Sequence, residues 1–334
     1  MTIRQGREPY VGVGIEATPG TGVNAAKYLP FVTCTLRGIN EALEDEAAKG
    51  VRERVWGAIM GKQHGEGDIE IYVDASNAPY LLYPALGSLA TNTNSVPAGV
   101  YNHVITRKTT STPKTLSVLY NDTQDTRKFT YATINTLELA VSDGLATISV
   151  NILSKFPTTG TASLSITEER ILAFKDYTIK FGSGATGTAA LAAAAAASAT
   201  EVRNFNLKIN NNAEAVYQSG NASAADIVVA QFEVEGDYTL FYEDTKDRVH
   251  YETMLDGANA VRAMIVTFTG DAIGTPASST EMIKVEIPRF HLKERGVDTA
   301  VAGFITENPS FVAEYDPTED VSIRITVRNE VATY

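Results

Sequence analysis

The sequence predicts a mainly β fold in two tandem domains, over 1–160 and 161–334, each with one short α-helix. Three observations carry this expectation. Apolar and polar residues alternate with period two through much of the chain, turn-forming residues separate the alternating runs, and the second half repeats features of the first in the same order.

In order along the chain, Glu66–Asp74 (EGDIEIYVD) sends Ile69, Ile71 and Val73 to one face and Glu66, Asp68, Glu70 and Asp74 to the other. Comparable strand runs occur at Thr115–Tyr120, Thr136–Val141, Thr147–Leu153, Ile265–Phe268, Ile283–Ile287 and Ser322–Val327. Turns are expected at Asn121-Asp122, Ser142-Asp143-Gly144 and Asp316-Pro317, where short polar side chains bond their own backbone. Two stretches read as short helices ending at a glycine: Pro79–Gly87 and Val249–Gly257. The alanine-rich stretch Thr188–Thr200 reads as a helical or flexible connection.

With 28 basic and 40 acidic side chains, the formal charge is 28 − 40 = −12. That balance argues against a protein that grips nucleic acid, which needs surplus Lys and Arg to neutralise phosphates. An apolar content of 44% and a charged content of 20% suit a globular chain. Cys34 is the one cysteine, so no intramolecular disulfide is expected. His64, His103, His250 and His291 share no metal-ligand spacing. The N-terminal stretch lacks an apolar run with a small-residue cleavage site, and Ala189–Ala199 is too short and too weakly apolar to span a bilayer. Neither a cofactor nor a membrane is expected, and the expected place of assembly is the cytoplasm in which the chain is made.

The resemblance between halves rests on four ordered pairs. Ala17-Thr18 matches Ala185-Thr186, Glu66-Gly67-Asp68 matches Glu235-Gly236-Asp237, the helix glycines Gly87 and Gly257 match, and Tyr131–Ile152 matches Phe304–Val327 with Ile148 against Ile323. The acidic alternation recurs too: Glu233, Glu235, Asp237 and Glu243 share one face, opposite Val234, Tyr238, Leu240 and Tyr242. Such a stripe is either an ordinary solvated sheet face or a surface with a use. Gly67 and Gly236, in mid-strand, predict a bulge or a close backbone approach. The first half carries a long charged connection, Asn40–Gly65, which is either a solvated excursion or a contact element. Its counterpart, Asn210–Asp226, is shorter and nearly uncharged.

Catalytic signatures fail on context. Gly12-Val13-Gly14-Ile15-Glu16-Ala17 fits a dinucleotide fingerprint, yet Pro19, Gly20 and Gly22 stand where a helix must run. Gly61-Lys62 lacks the first glycine and the hydroxyl residue of a P-loop, and no G-x-S-x-G elbow exists. Asn121–Asp125 lacks the glycine and distal glutamate of a calcium loop. A glycosidase-like acid pair stays open, although nothing singles one out.

The opening GVGIEATPGTGVNAAKYLPF, the strand EGDIEIYVD leading into YLLYPALG, and the ending FVAEYD…VSIRITVRNEVATY are similar to major tail tube proteins of long, non-contractile-tailed bacteriophages. The resemblance implies two tandem tail-tube-type β-sandwich domains, each with a short flanking α-helix, in a non-enzymatic virion component in which inner-sheet strands of neighbouring domains join around a channel and rings stack into a tube. It implies a sixfold ring, which a duplicated chain closes as a trimer, with a hexamer as the alternative. Partners would be further copies, other tail proteins, and genomic DNA that passes without specific binding. Glu66, Asp68, Glu70, Asp74, Glu233, Glu235, Asp237 and Glu243 would line the channel, with Lys62 and Arg324 also reaching it. Glu44, Asp45, Glu46, Arg52, Glu53, Arg54 and Trp56 would form the ring-to-ring contact. A tail terminator, baseplate hub or decoration protein, or a β-sandwich carbohydrate-active enzyme, are the competing expectations.

Overall fold

The computed structural model describes residues 6–93, 97–108, 110, 112–161, 165–183, 187–242, 251–252, 262–275, 278–299 and 303–334. The first half contains β1 (Tyr10–Ile15), β2 (Lys27–Leu29), β3 (Thr33–Cys34), β4 (Arg37–Glu44), β5 (Ala58–Tyr72), α1 (Pro79–Leu86), β6 (Gly87–Asn92), β7 (Tyr101–Arg107), β8 (Leu116–Asn121), β9 (Thr126–Val141), β10 (Thr147–Ser154) and β11 (Thr158–Thr159). The second contains β12 (Tyr177–Ser183), α2 (Gly187–Ala196), β13 (Val202–Asn210), β14 (Ala213–Val216), β15 (Asp226–Val229), β16 (Glu233–Phe241), β17 (Arg262–Ile273), β18 (Ser279–Asp298), β19 (Thr306–Ala313) and β20 (Arg324–Asn329). Each alternating run falls largely within a strand, and the fold is mainly β as expected.

Among the described residues, antiparallel pairing joins 18 strands into one sheet, with β14 and β15 as a separate hairpin. The large sheet is continuous because long strands pass between layers. The first part of β9 pairs with β8, and its last part pairs with β10 on one edge and β13 on the other. The change of layer falls at Tyr131, whose φ is +57°. There the fully buried carboxylate of Glu16 accepts hydrogen bonds from Tyr131 N (3.1 Å), Gly20 N (2.7 Å), Thr115 Oγ1 (2.7 Å) and Ser117 Oγ (2.8 Å). Likewise β18 pairs first with β17 and β20 and then, past Phe290, with β19.

Pairing runs in the same order in both halves. The first reads β1–β8–β9–β10–β5–β3/β4, and the second reads β12–β17–β18–β19–β16–β13. One extra residue interrupts each at the same step. Asn135 is skipped between Ile134↔Ile152 and Thr136↔Asn151, and Lys293 is skipped between Leu292↔Phe311 and Glu294↔Ser310. The match of Ile148 with Ile323 does not follow this order. Ile148 lies in β10, between β5 and β9, whereas Ile323 precedes β20, which pairs with β18 and β7. Alternation is common to every strand, so that local likeness carried no topology.

Helix α1 starts at Pro79, whose fixed φ suits a first turn, and stops at Gly87, with φ +90° and its N–H bonded to Tyr83 O. The alanine-rich run forms α2. Its Ala190, Leu191 and Ala194 pack on Ala263 and Ile265 of β17, while Ala190 O lies 2.3 Å from where a Cβ on Gly182 would stand. Small residues on both sides let this helix lie close to the sheet. Of the expected helix Val249–Gly257, only Tyr251 and Glu252 are described, and both are helical; the rest lies outside the described residues.

The halves are interlaced. β20 pairs with β7 in register Ile325↔Ile105, so β6 and β7 extend the second half's sheet. The residues after β20 return to the first half, where Tyr334 Oη donates to Ser76 O (3.1 Å) and its ring meets Tyr80 and His103 edge-on.

Candidate functional site

Strands β4, β5, β10, β9, β13, β16, β19 and the end of β18 form a run of eight whose two faces differ. One face is core: Ile69, Ile71, Val150, Leu137, Leu139, Leu207, Ile209 and Val234 are each no more than 2% exposed. The other is polar. Register places Glu70, Ser149, Glu138, Lys208 and Glu235 side by side in one row across five strands. The adjoining row is Asp68, Asn151, Thr136, Asn210 and Glu233. Asn151 donates to Asp68 (2.8 Å), Thr33 donates to Glu70 (3.3 Å), and Asn135 donates to Asn151 (3.1 Å). Lys208 lies between Glu138 and Glu235, at 3.9 Å from the latter, and is the one base against several acids in these rows. Asp237's carboxyl is held above its ordinary range, first by partial desolvation and then by the negative charge of Glu138.

Glu66, Asp68, Glu70, Glu233, Glu235 and Asp237 therefore share this face, as their alternation predicts, whereas Glu243 lies outside the described residues. Asp74 does not belong to it. It is 5% exposed, two residues beyond the end of β5, and its carboxylate accepts from Ser76 N (3.0 Å), Asn77 N (2.7 Å) and Asn77 Nδ2 (2.8 Å). It shapes the turn into α1, because period two stops applying where the strand stops. Arg324 also lies elsewhere, on β20, held by Glu286 (2.9 Å) and Glu319 (3.0 Å). Lys62 sits over the Tyr217 ring, 5.1 Å from its centroid. Glu138 is the face's central acid, a role that the alternation of Thr136–Val141 did not single out.

Both mid-strand glycines are close-approach positions. A Cβ on Gly67 would lie 2.4 Å from Leu36 Cα, and one on Gly236 would lie 2.3 Å from Asn206 O.

The charged connection Asn40–Gly65 is largely strand rather than loop. β4 and the first part of β5 pair from Arg37↔Glu66 out to Glu44↔Ala58 as a projecting hairpin. Glu44, Asp45, Glu46, Arg52, Glu53, Arg54 and Trp56 are exposed at its end. Most of these charges pair within the hairpin: Arg54 bridges Glu44 and Glu46 at 2.7 Å each, and Lys49 bonds Asp45 and stacks over Trp56. Exposed pairs of this kind contribute little, because water and salt screen them. The hairpin also presents apolar side chains outward, with Ile59 at 72% exposure, Met60 at 61% and Leu43 at 51%. The second half's shorter hairpin, β14–β15, folds back instead: Gln63 N donates to Ala222 O (2.8 Å), and Tyr217 Oη lies 2.9 Å from His64 Nδ1.

Among the described residues, no three His, Cys, Asp or Glu side chains are grouped to hold a metal ion, and no helix is long and apolar enough to cross a membrane. The sequence model of one protein family, described as phage tail tube protein, matches residues 6–313. No curated protein matches the chain.

Proposed function

The chain belongs to the phage tail tube protein family, a structural component of the virion tail, and on that premise we propose that its acidic sheet face lines the tube's channel. The observation that carries this reading is the continuous polar face running across both halves, opposite a sheet face whose Ile69, Leu137, Leu207 and Val234 are buried. A polar surface that extends across so many strands suits a wall, and the role of such a wall is geometric. DNA carries about one charge per 1.7 Å of axis, and a basic wall would hold it through many phosphate contacts. Acidic rows repel it within a Debye length of about 8 Å, which favours passage without binding.

The halves act as two copies of one building block. Their like pairing order and the extra residue at Asn135 and Lys293 support this reading. Three chains then supply six pseudo-equivalent units to a ring, and closing the ring removes exposed strand edges. The projecting hairpin reaches the next ring, and its apolar Ile59, Met60 and Leu43 make the contact more than its self-paired charges do. Electron microscopy of concentrated purified protein tests the whole: hollow tubes of varying length with Asp68, Glu138 and Asp237 facing the bore are expected. Discrete caps or single rings indicate another tail part, and tubes with these acids on the outer wall refute the channel assignment.

A further inference from the structure

Within one chain, the two halves meet at a strand junction: β9 lies beside β13 with Leu139 opposite Leu207 on the core side and Glu138 opposite Lys208 on the polar side. The polar-faced sheet then ends at two edges. At one end, β3 and β4 pair with β5 alone among the described residues. At the other, the last part of β18 pairs with β19 alone among them.

Gly67 and Gly236 bring these edges into the same frame as the junction. Leu207 is opposite Gly236, and Leu36 occupies the same place against Gly67, between the pairs Cys34↔Ile69 and Arg37↔Glu66. Across the other neighbour, Gly67 faces Ile152 and then Ile134, while Gly236 faces Phe311 and then Leu292. Leu139 lies five residues past Ile134, and Val297 lies five past Leu292. Val297 therefore stands where Leu139 does, yet it is 40% exposed where Leu139 is 1%.

We propose that β18 of one copy pairs with β3 and β4 of a second copy of this chain in the register of the internal junction: Val297 opposite Leu36, Gly296 opposite Arg37, and Asp298 opposite Thr35. The proposal rests on the tube reading and on the equivalence of the halves. Charge complementarity supports it independently. On the polar face Arg37 falls between Glu294 and Asp298 of the neighbouring copy, and all three are exposed in the single chain. Diagonal cross-strand neighbours lie about 7–8 Å apart, within reach of an arginine. The internal pair Glu138–Lys208 thus recurs with the base on the same strand and the acids displaced two residues to either side. Val297 completes the core side.

Cysteine cross-linking of assembled tubes reads the register directly. In a Cys34→Ala background, Thr35→Cys with Asp298→Cys is expected to give disulfide-linked multimers under oxidation, and Thr33→Cys with Asp298→Cys is expected to give few, since a disulfide needs Cβ atoms about 3.5–4.5 Å apart. Tubes that cross-link only in the second pair, or in neither, overturn the register and leave the tube reading standing. Failure of the unmodified protein to form tubes defeats the tube reading itself. Charge reversal gives a second readout. Arg37→Glu is expected to raise the protein concentration needed for assembly by about tenfold. Adding Glu294→Lys and Asp298→Lys is expected to restore it. Unchanged assembly of Arg37→Glu, or no restoration, counts against the pairing.

Discussion

Replacing Glu16 tests how the chain crosses between layers. Its carboxylate receives four hydrogen bonds, two from hydroxyls that can rotate away and two from the backbone N–H groups of Gly20 and Tyr131, which cannot. Glu16→Ala leaves both N–H groups without their acceptor, Tyr131's buried and Gly20's half-buried. At about 1–3 kcal/mol for each unsatisfied buried donor, the expected loss is about 4 kcal/mol. That is a large part of the roughly 5–15 kcal/mol typical of a folded domain. Glu16→Gln gives a sharper comparison. Oε2 serves Gly20 N and Thr115 Oγ1, while Oε1 serves Tyr131 N and Ser117 Oγ. Whichever way the amide is turned, its NH2 faces one backbone N–H and strands it, so about 2 kcal/mol should be lost. Urea unfolding of the unassembled subunit measures both values, and hydrogen exchange at Gly20 and Tyr131 localises them. The reasoning fails if Glu16→Ala costs less than about 0.5 kcal/mol, or if the two variants cannot be distinguished.

Three more expectations follow from particular contacts. Gly236→Ala drives a Cβ to 2.3 Å from Asn206 O and 2.7 Å from the Phe311 ring, so it should cost about 2 kcal/mol, whereas Gly144→Ala, with nothing within 4 Å, should lie within about 0.5 kcal/mol of the parent in the same urea titration. Ile59→Ser with Met60→Ser removes side chains that are 72% and 61% exposed; subunit stability should hold within about 0.5 kcal/mol while light scattering shows slowed tube growth, and unaltered growth would remove the hairpin from the ring contact. Burial holds His103 below its ordinary value of 6.5, against the opposing bonds to Val331 O and Asn329. The unfolded chain therefore binds the extra proton first, and stability should decline as pH falls from about 6.5 towards the depressed folded value. His103→Gln should flatten that part of the pH profile, and a slope that persists in the variant would assign it to another group.

Much of this fold was legible because a half-buried sheet writes its burial pattern into alternate positions. Ile69, Ile71 and Val234 are buried where alternation put them, and Gly67 and Gly236 meet backbone or core ring where a mid-strand glycine predicts close approach. Asp74 was misplaced because alternation does not announce where a strand ends; the turn into α1 begins at Asp74, two residues after Tyr72. The charged hairpin read as a connection because its charges hid the pairing of Leu43 with Ile59, which only the partner strand makes evident. Glu138 was overlooked since its neighbours on the face, Ser149 and Lys208, are distant in sequence and come together only through register. The same limit explains Ile148 and Ile323. Pairing partners, not local pattern, establish which strands correspond.

The return of the 330–334 segment to α1 has a bearing on synthesis. Ser76 O waits for a donor 258 positions further along the chain, and Ala75 O waits for Asn329, 254 positions on. A nascent chain that has emerged only as far as β11 leaves the Tyr80 and His103 rings uncovered and one edge of β7 without its partner β20. Contacts this remote in sequence form late. A subunit truncated in translation thus lacks part of its first half as well as its second, which keeps incomplete chains from presenting a finished building block to a growing polymer.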